Sequence, residues 1–235
     1  MINLSKRSYQ PEILDGDNIP FTDIRQNMRE LNTINSLLGG HAITISGIKK
    51  IIPLASDNTY LTICEIGCGG GDNLQAINNW CNKNNIAVKF IGIDIKPACI
   101  SFAQQQYPLL NCQWIPLDYQ QVIFSTAKPD IIFSSLFCHH FPEQQIVQML
   151  QWMKIHATKG FFINDLHRHK LAYYSIKLIT YLFSRSYLVK NDAPLSVARG
   201  FVAAEWHSIF NCAQIINYKL YWKWAFRYLI IYIHD

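Results

Sequence analysis

The stretch 61–72, LTICEIGCGGGD, constrains this chain more than any other. A run of β-branched and apolar residues leads into Gly67, Gly69, Gly70 and Gly71, and a helical pattern opens at Asp72. A strand that breaks into glycines and restarts as a helix is the opening of a parallel βα unit. The same alternation continues downstream. Strands are expected at 61–66, 88–95, 111–117, 130–134 and 160–164, several of them apolar throughout, as strands buried on both faces are. Helices fit between them at 72–82, 97–107 (with proline in its first turn) and 142–156. The fold class is therefore α/β, a parallel sheet with helices on both faces.

Beyond the fifth strand the alternation is lost. Residues 166–185 read as one or two apolar helices, 191–200 as a loop around Pro194 and 202–211 as a helix. Two aromatic-rich strands, 215–222 and 226–233, close the sequence as a hairpin around Trp224 and Ala225. Ahead of the sheet, 21–53 reads as two helices broken at Gly39 and Gly40. The first carries Ile24, Met28, Leu31, Ile34, Leu37 and Leu38 on one face. The expected organisation is a helical arm over 1–57, serving as a lid or an extra packing layer, and a core over 58–235 with a helical insertion at about 166–200.

Composition excludes several classes. With 235 residues, half of them apolar, one core can be filled and disorder is ruled out. The net charge of +5 is scattered rather than clustered, which argues against a nucleic-acid partner. Seven cysteines, an odd number with no CxxC pair, suit reduced thiols in a cytoplasmic protein. The first residues, MINLSKRSYQPEILDG, lack the apolar stretch of a signal peptide. Lys177 and Arg185 interrupt the most apolar stretch, 171–189, so no transmembrane segment is expected.

The glycine loop departs from a dinucleotide fingerprint in two ways. Asp72 stands where GxGxxG has its third glycine, and Glu65 puts a carboxylate two residues before the first. A pyrophosphate would be repelled there and a cationic ligand attracted, which disfavours a nicotinamide oxidoreductase. The next strand ends IGIDI, and Asp94 is placed to take both hydroxyls of a ribose. The third ends LDY, where Asp118 can hold an adenine amino group while Tyr119 or Ile95 covers the ring. Acids at three successive strand ends describe a nucleoside with a cationic tail, S-adenosylmethionine.

On EIGCGGG followed by IGIDIKP, the chain resembles the class I S-adenosylmethionine-dependent methyltransferases. The resemblance implies their Rossmann-like seven-stranded sheet, with the last strand antiparallel and helices on both faces. It also implies that Gly67, Cys68, Gly69 and Gly71 form the cofactor loop oriented by Glu65. Asp94 would bind the ribose and Asp118 the adenine, with Ile95 or Tyr119 over the ring and Ser134 at the cofactor's edge. Short strings (NSLLGG from Asn35, SSLFCHHF from Ser134, NDLHR from Asn164) are similar to bacterial quinone-type and polyketide-tailoring members. These imply S-adenosylhomocysteine as product and a role in secondary metabolism. Members that methylate amide or nucleobase nitrogen carry Asn/Asp-Pro-Pro-Tyr/Phe where this chain has Ser134-Ser135-Leu136-Phe137, which disfavours RNA or protein as acceptor.

The acceptor side is read from the ends of the fourth and fifth strands. His139 or His140 could act as base, or bond the backbone structurally, and Asp165 with His167 forms an Asp-x-His pair that could charge an imidazole or cap a helix. These four are the candidate catalytic residues. His139, His140, His167, His169 and Asp165 would be donors enough for a metal. Magnesium-dependent members, however, need an acid where Ser134 stands, and zinc prefers a tighter set, so no metal is expected. Arg168 and Arg199 are candidates for an acceptor carboxylate or phenolate. The apolar helix at 171–183 has three candidate roles besides plain packing: roofing a pocket, resting on lipid, or forming a homodimer surface. The expected activity is methyl transfer to oxygen or activated carbon of a small aromatic, quinone-like or polyketide-like acceptor. The rivals are RNA or protein methylation and non-catalytic cofactor binding.

Overall fold

The computed structural model describes residues 3–16, 18–52, 60–124 and 127–234. Seven strands form one sheet: β1 (Leu61–Ile66), β2 (Val88–Ile93), β3 (Cys112–Ile115), β4 (Ile131–Ser135), β5 (Gly160–Leu166), β6 (Tyr218–Lys223) and β7 (Arg227–Ile233). Their spatial order is β3-β2-β1-β4-β5-β7-β6. The first five run parallel to one another, and β7 lies antiparallel between β5 and β6. The register pairs Ile66 with Ile93 on one side and with Ser134 on the other, and Ser135 with Asn164. The carboxyl ends of β1, β2, β4 and β5 therefore finish together. Chain reversals along that edge bring the polar residues that follow each strand into one place, as open α/β sheets do.

Helices cover both faces. On one, α5 (Glu143–His156) and α8 (Ala203–Cys212) bury Met149, Leu150, Met153, Trp206 and Phe210 against β5 and β7. On the other, α2 (Gly40–Ile51) and α3 (Asp72–Lys83) bury Ile48, Leu74 and Ile77. There Phe133 and Phe162 stack at 4.9 Å, and Gly47 lies so close to Phe162 that a Cβ would come within 2.6 Å of its ring. Each such apolar side chain stabilises the fold by about 1.5–3 kcal/mol. The expected two-helix arm divides in function. The second helix, α2, belongs to the core, whereas α1 (Phe21–Leu37) crosses the carboxyl edge of the sheet. The expected boundary at 57/58 and the arm's end at Pro53 lie outside the described residues.

Two expectations are corrected. Residues 191–200 do not form a loop: α7 (Tyr187–Arg199) runs through them with Pro194 inside. And β2 stops at Ile93 and β3 at Ile115, so Asp94, Ile95 and Leu117 stand in loops rather than in strands. α4 (Pro97–Gln106) starts at its proline as expected. α6 (Lys170–Phe183) packs on α7 and keeps Ala172, Tyr173, Ile176 and Thr180 buried, while Leu178, Tyr181, Leu182 and Phe183 face outward. Among the described residues no helix is long and apolar enough to cross a membrane.

Candidate functional site

The glycine loop is held by the strand beside it. The N–H groups of Gly67 and Cys68 donate to the Ile93 carbonyl at 2.8 and 3.0 Å, and Gly71 N–H donates to Cys68 O at 2.8 Å. Gly67 adopts φ +68°, and a Cβ there would stand 2.2 Å from the Phe137 ring, so only glycine fits. Gly69, at φ +49°, faces open space instead, the nearest atom to a Cβ being Met28 Sδ at 3.6 Å. Asp94 closes the loop from the end of β2. Its carboxylate accepts from Gly69 N–H and Lys96 N–H, both at 2.9 Å. Burial pushes the Asp94 pKa up, opposed by those two N–H groups and by Lys96.

Glu65 is 1 % exposed at the end of β1. One oxygen accepts from Asn73 Nδ2 at 2.9 Å, and the other, Oε2, has no partner among the described residues. Burial, with Asp72 and Asp94 nearby, raises its pKa well above the ordinary range. Asn73 is itself positioned by Thr44 Oγ1, which donates to its Oδ1 at 3.3 Å, and by His41 at 3.0 Å.

Across the cavity, β4 ends in a short turn that carries Cys138, His139 and His140. His139 is 2 % exposed, with Nδ1 2.8 Å from Asp165 Oδ1. Asp165 also accepts from Leu166 N–H at 2.7 Å and His139 N–H at 3.3 Å. Burial alone would raise Asp165, but His139 and these N–H donors hold its carboxyl below the usual range. His140 places Nδ1 2.9 Å from Asp15 Oδ1. Burial tends to raise Asp15 as well, yet the hydrogen bond and charge of His140, the Glu12 N–H and Arg199 depress it. The sequence reading of residues 1–20 gave no role to Glu12 or Asp15. In the fold this segment is a strap that lays both beside the two histidines, with Glu12 Oε1 3.6 Å from His139 Nε2 and Glu12 Oε2 3.9 Å from His140 Nε2.

These elements enclose a cavity of about 640 Å³. The glycine loop, Glu65, Asp94 and Ile95 form one end, and Glu12, Asp15, His139 and His140 another; Met28, Leu31, Ile176, Ile179, Phe137 and Phe226 are among its apolar walls. Lid helix α1 also sends two polar residues into it, Asn27 and Asn35. Asn27 Nδ2 is buried with no partner among the described residues, whereas Asn35 Oδ1 accepts from Arg227 Nη2 at 2.9 Å. Arg227 lines the same wall, and burial lowers its pKa to about 10, with Asp165 and Asp72 opposing.

Several expected site residues do not reach this space. Asp118 caps a short turn by accepting from Gln120 N–H at 2.9 Å, and the cavity lining does not include it. Tyr119 is spent in the core, edge-on to Trp152 at 5.3 Å, so it covers no ligand; Ile95 alone of that pair lines the cavity. Ser134 is fully buried 3.5 Å from Cys138 Sγ, and its neighbour Ser135 lines the cavity in its place, since alternate strand residues face opposite ways. Cys68 and Gly69 line the cavity; Gly71 serves as the N-cap of α3. The expected Asp165–His167 pair is not formed. β5 ends at Leu166, and His167 accepts from Trp222 Nε1 at 3.2 Å under the β6–β7 hairpin, away from the cavity.

The two candidate anion-binding arginines are structural. Arg168 pairs with Glu205 at 2.7 Å and donates to Gly200 O at 2.6 Å. Arg199 donates to the carbonyls of His139, His140 and Gln10 at 3.0, 2.8 and 2.7 Å.

Residues 63–160, which include the loop and the β4 turn, match a family model described as a methyltransferase domain. No curated protein matches the sequence. Solved structures share the fold at low identity. The plantazolicin methyltransferase BpumL, in complex with SAH, superposes with a TM-score of 0.61 at 17% identity, over 86% of this chain and 73% of its own. Magnesium protoporphyrin IX methyltransferase from Synechocystis PCC 6803, with bound SAM, gives 0.53 at 12% identity over 95% and 88%. Human N-acetylserotonin methyltransferase, in complex with SAM, gives 0.61 at 14% identity over 90% and 56%. Residues 63–160, glycine loop included, are thus similar to a methyltransferase domain, and the whole seven-stranded sheet shares the fold of these solved structures.

Proposed function

We propose that the protein is a cytoplasmic S-adenosylmethionine-dependent methyltransferase acting on oxygen, or on activated carbon, of a small aromatic, quinone-like or polyketide-like acceptor. One observation carries this reading: a single cavity joins an orphaned carboxylate beside an open glycine loop to a histidine–aspartate pair, with apolar walls between. The residues present fit the cofactor. Glu65 Oε2 is a buried carboxyl oxygen without a partner among the described residues, suited to the cationic end of the ligand. Gly69 leaves room for close approach, and Asp94 stands ready to exchange its two N–H partners for ribose hydroxyls. When bound, the cofactor supplies an electrophilic methyl group on a sulfonium.

The chain's own contribution is alignment, exclusion of water and proton handling. Helix α1, the strap and the α6–α7 pair close the carboxyl edge. Asp165 accepts the Nδ1 proton of His139, which leaves Nε2 free to take a proton from an acceptor hydroxyl, an effect worth roughly 10²–10⁴-fold in rate. All seven cysteines are free thiols, as a reducing compartment would keep them.

The test is calorimetric titration with S-adenosylmethionine, S-adenosylhomocysteine and NADH, on wild type and on Asp94→Ala. Micromolar binding of the adenosyl pair, at least 10-fold weaker in the variant, supports the reading. It is followed by a screen of phenols, quinols and polyketides for uptake of labelled methyl. Tight NADH binding with no adenosyl binding would overturn it.

A further inference from the structure

The cluster around Glu12 asks for something more than a base. Both oxygens of Asp165 already accept from backbone N–H groups, those of Leu166 and His139, so it acts as acceptor toward His139 as well and the hydrogen between them sits on Nδ1. Asp15, which accepts from Glu12 N–H at 3.0 Å and Arg199 Nη1 at 3.2 Å, faces His140 Nδ1 at 2.9 Å in the same way. Both rings are thereby fixed with Nδ1 facing outward to a carboxylate and Nε2 facing inward. The two inward nitrogens do not meet donors. They meet the two oxygens of Glu12, at 3.6 and 3.9 Å. Both separations exceed hydrogen-bond length, so the three side chains face a common gap rather than bond one another.

The geometry is that of a metal-ligand set. One nitrogen from each histidine and one oxygen from Glu12 lie within 4.8 Å of one another. Ligands about 2.1 Å from a shared ion stand roughly 3.0–3.4 Å apart, so a set spanning up to 4.8 Å has to close by up to about 1.4 Å around the ion. Carboxylates bonded to the far nitrogens of both histidines are the outer partners that metal-binding histidines characteristically have. Glu12 has such a partner too, Ser196 Oγ donating to Oε1 at 2.7 Å. All three residues line the cavity, which leaves further coordination positions open to what the cavity holds.

We propose that Glu12, His139 and His140 form a two-histidine, one-carboxylate site for a divalent transition ion such as Zn²⁺ or Fe²⁺. Its open positions would take an oxygen of the acceptor, a hydroxyl or phenol, whose proton the ion makes easier to lose to solvent. The use of the site for an acceptor rests on the methyltransferase reading; the site itself does not. The expectation of no metal rested on donors at the ends of β4 and β5 alone. Glu12, 127 residues before His139 in the chain, is the ligand that the pattern there could not supply.

The test uses the full chain after treatment with a chelator, without S-adenosylmethionine. Zn²⁺ is titrated by calorimetry, and Co²⁺ by its visible absorption. One ion per chain is expected, bound at micromolar or tighter affinity. Glu12→Gln should weaken it at least 100-fold, and Asp15→Asn, which removes only an outer partner, by 10–100-fold. His167→Ala, a histidine outside the cavity, should leave affinity unchanged, and thermal melts verify that each variant folds. No binding up to 1 mM, or binding indifferent to Glu12→Gln, overturns the site and leaves His139 as the simple base. Ion binding as expected in a protein that fails to bind S-adenosylmethionine would keep the site and discard the methyltransferase reading.

Discussion

A buried carboxylate destabilises its fold unless a donor or a cation meets each oxygen, and among the described residues Glu65 has a donor for only one. Burial, Asp72 and Asp94 raise its native pKa, while in the unfolded chain it titrates near the ordinary glutamate value. Between those two values the native state binds more protons than the unfolded state, so stability falls as pH rises through that window. Glu65→Gln abolishes the fall. We expect the variant to melt above wild type at pH 8 and level with it near pH 4, below the unfolded-state pKa. It should bind S-adenosylmethionine at least 10-fold more weakly, since the orphaned oxygen offered to the cation is gone. Melting curves across that pH range, with calorimetry at pH 8, check both halves; a variant that melts no higher than wild type at pH 8 contradicts the account.

At the scale of elements, α7 shows how a local signal is overridden. An interior proline costs a helix about 3 kcal/mol. Yet Leu188, Val189, Val197 and Ala198 are buried on α7, and each large apolar side chain returns about 1.5–3 kcal/mol. Burial wins, and the loop read around Pro194 is a helix that then anchors the strap. Asp192, two residues before that proline, accepts from the N–H groups of Ile13 and Leu14 at 2.9 and 3.0 Å. Asp192→Ala should cost about 1.5–3 kcal/mol, the range for hydrogen bonds to a charged group. It should raise amide exchange across residues 12–16 while β1–β5 stay protected; unchanged exchange there would refute the anchoring. The same contrast explains what the sequence made legible. The strands, the glycine loop, Glu65 and Asp94 announce themselves by periodicity and neighbours a few residues apart. Glu12 and Asp15 carry no such pattern, and they acquire meaning only when β4 and α7 bring the chain back beside them. The pairing of Asp165 was misread for a related reason: His167 is closer in sequence, His139 closer in space.

For the whole molecule, the sheet and its two helical layers make up a core that is complete without the strap. The clusters on its two faces draw on α2, α3, α5 and α8 but include nothing before Ile43. The strap and α1 are added over the carboxyl edge, and the strap holds on through polar contacts. Arg7 donates to the carbonyls of Arg199, His139 and Phe141 at 2.9, 3.3 and 3.0 Å, and its guanidinium lies 4.1 Å from the Phe201 ring. Cofactor end and acceptor end should therefore be separable. Removing residues 1–16 takes away Glu12 and Asp15 but leaves the glycine loop, Glu65 and Asp94 in the sheet. The shortened chain should keep the far-ultraviolet circular dichroism of the full one and melt several degrees lower. It should still gain from saturating S-adenosylmethionine, about 2.7 kcal/mol at 100 times Kd, which is roughly 5–10 °C in Tm for a chain of this size. Zn²⁺ binding and methyl uptake by any acceptor found for the full chain should be lost together. If the shortened chain loses the S-adenosylmethionine-induced rise in Tm as well, the strap is part of the cofactor site and the two ends of the cavity work as one.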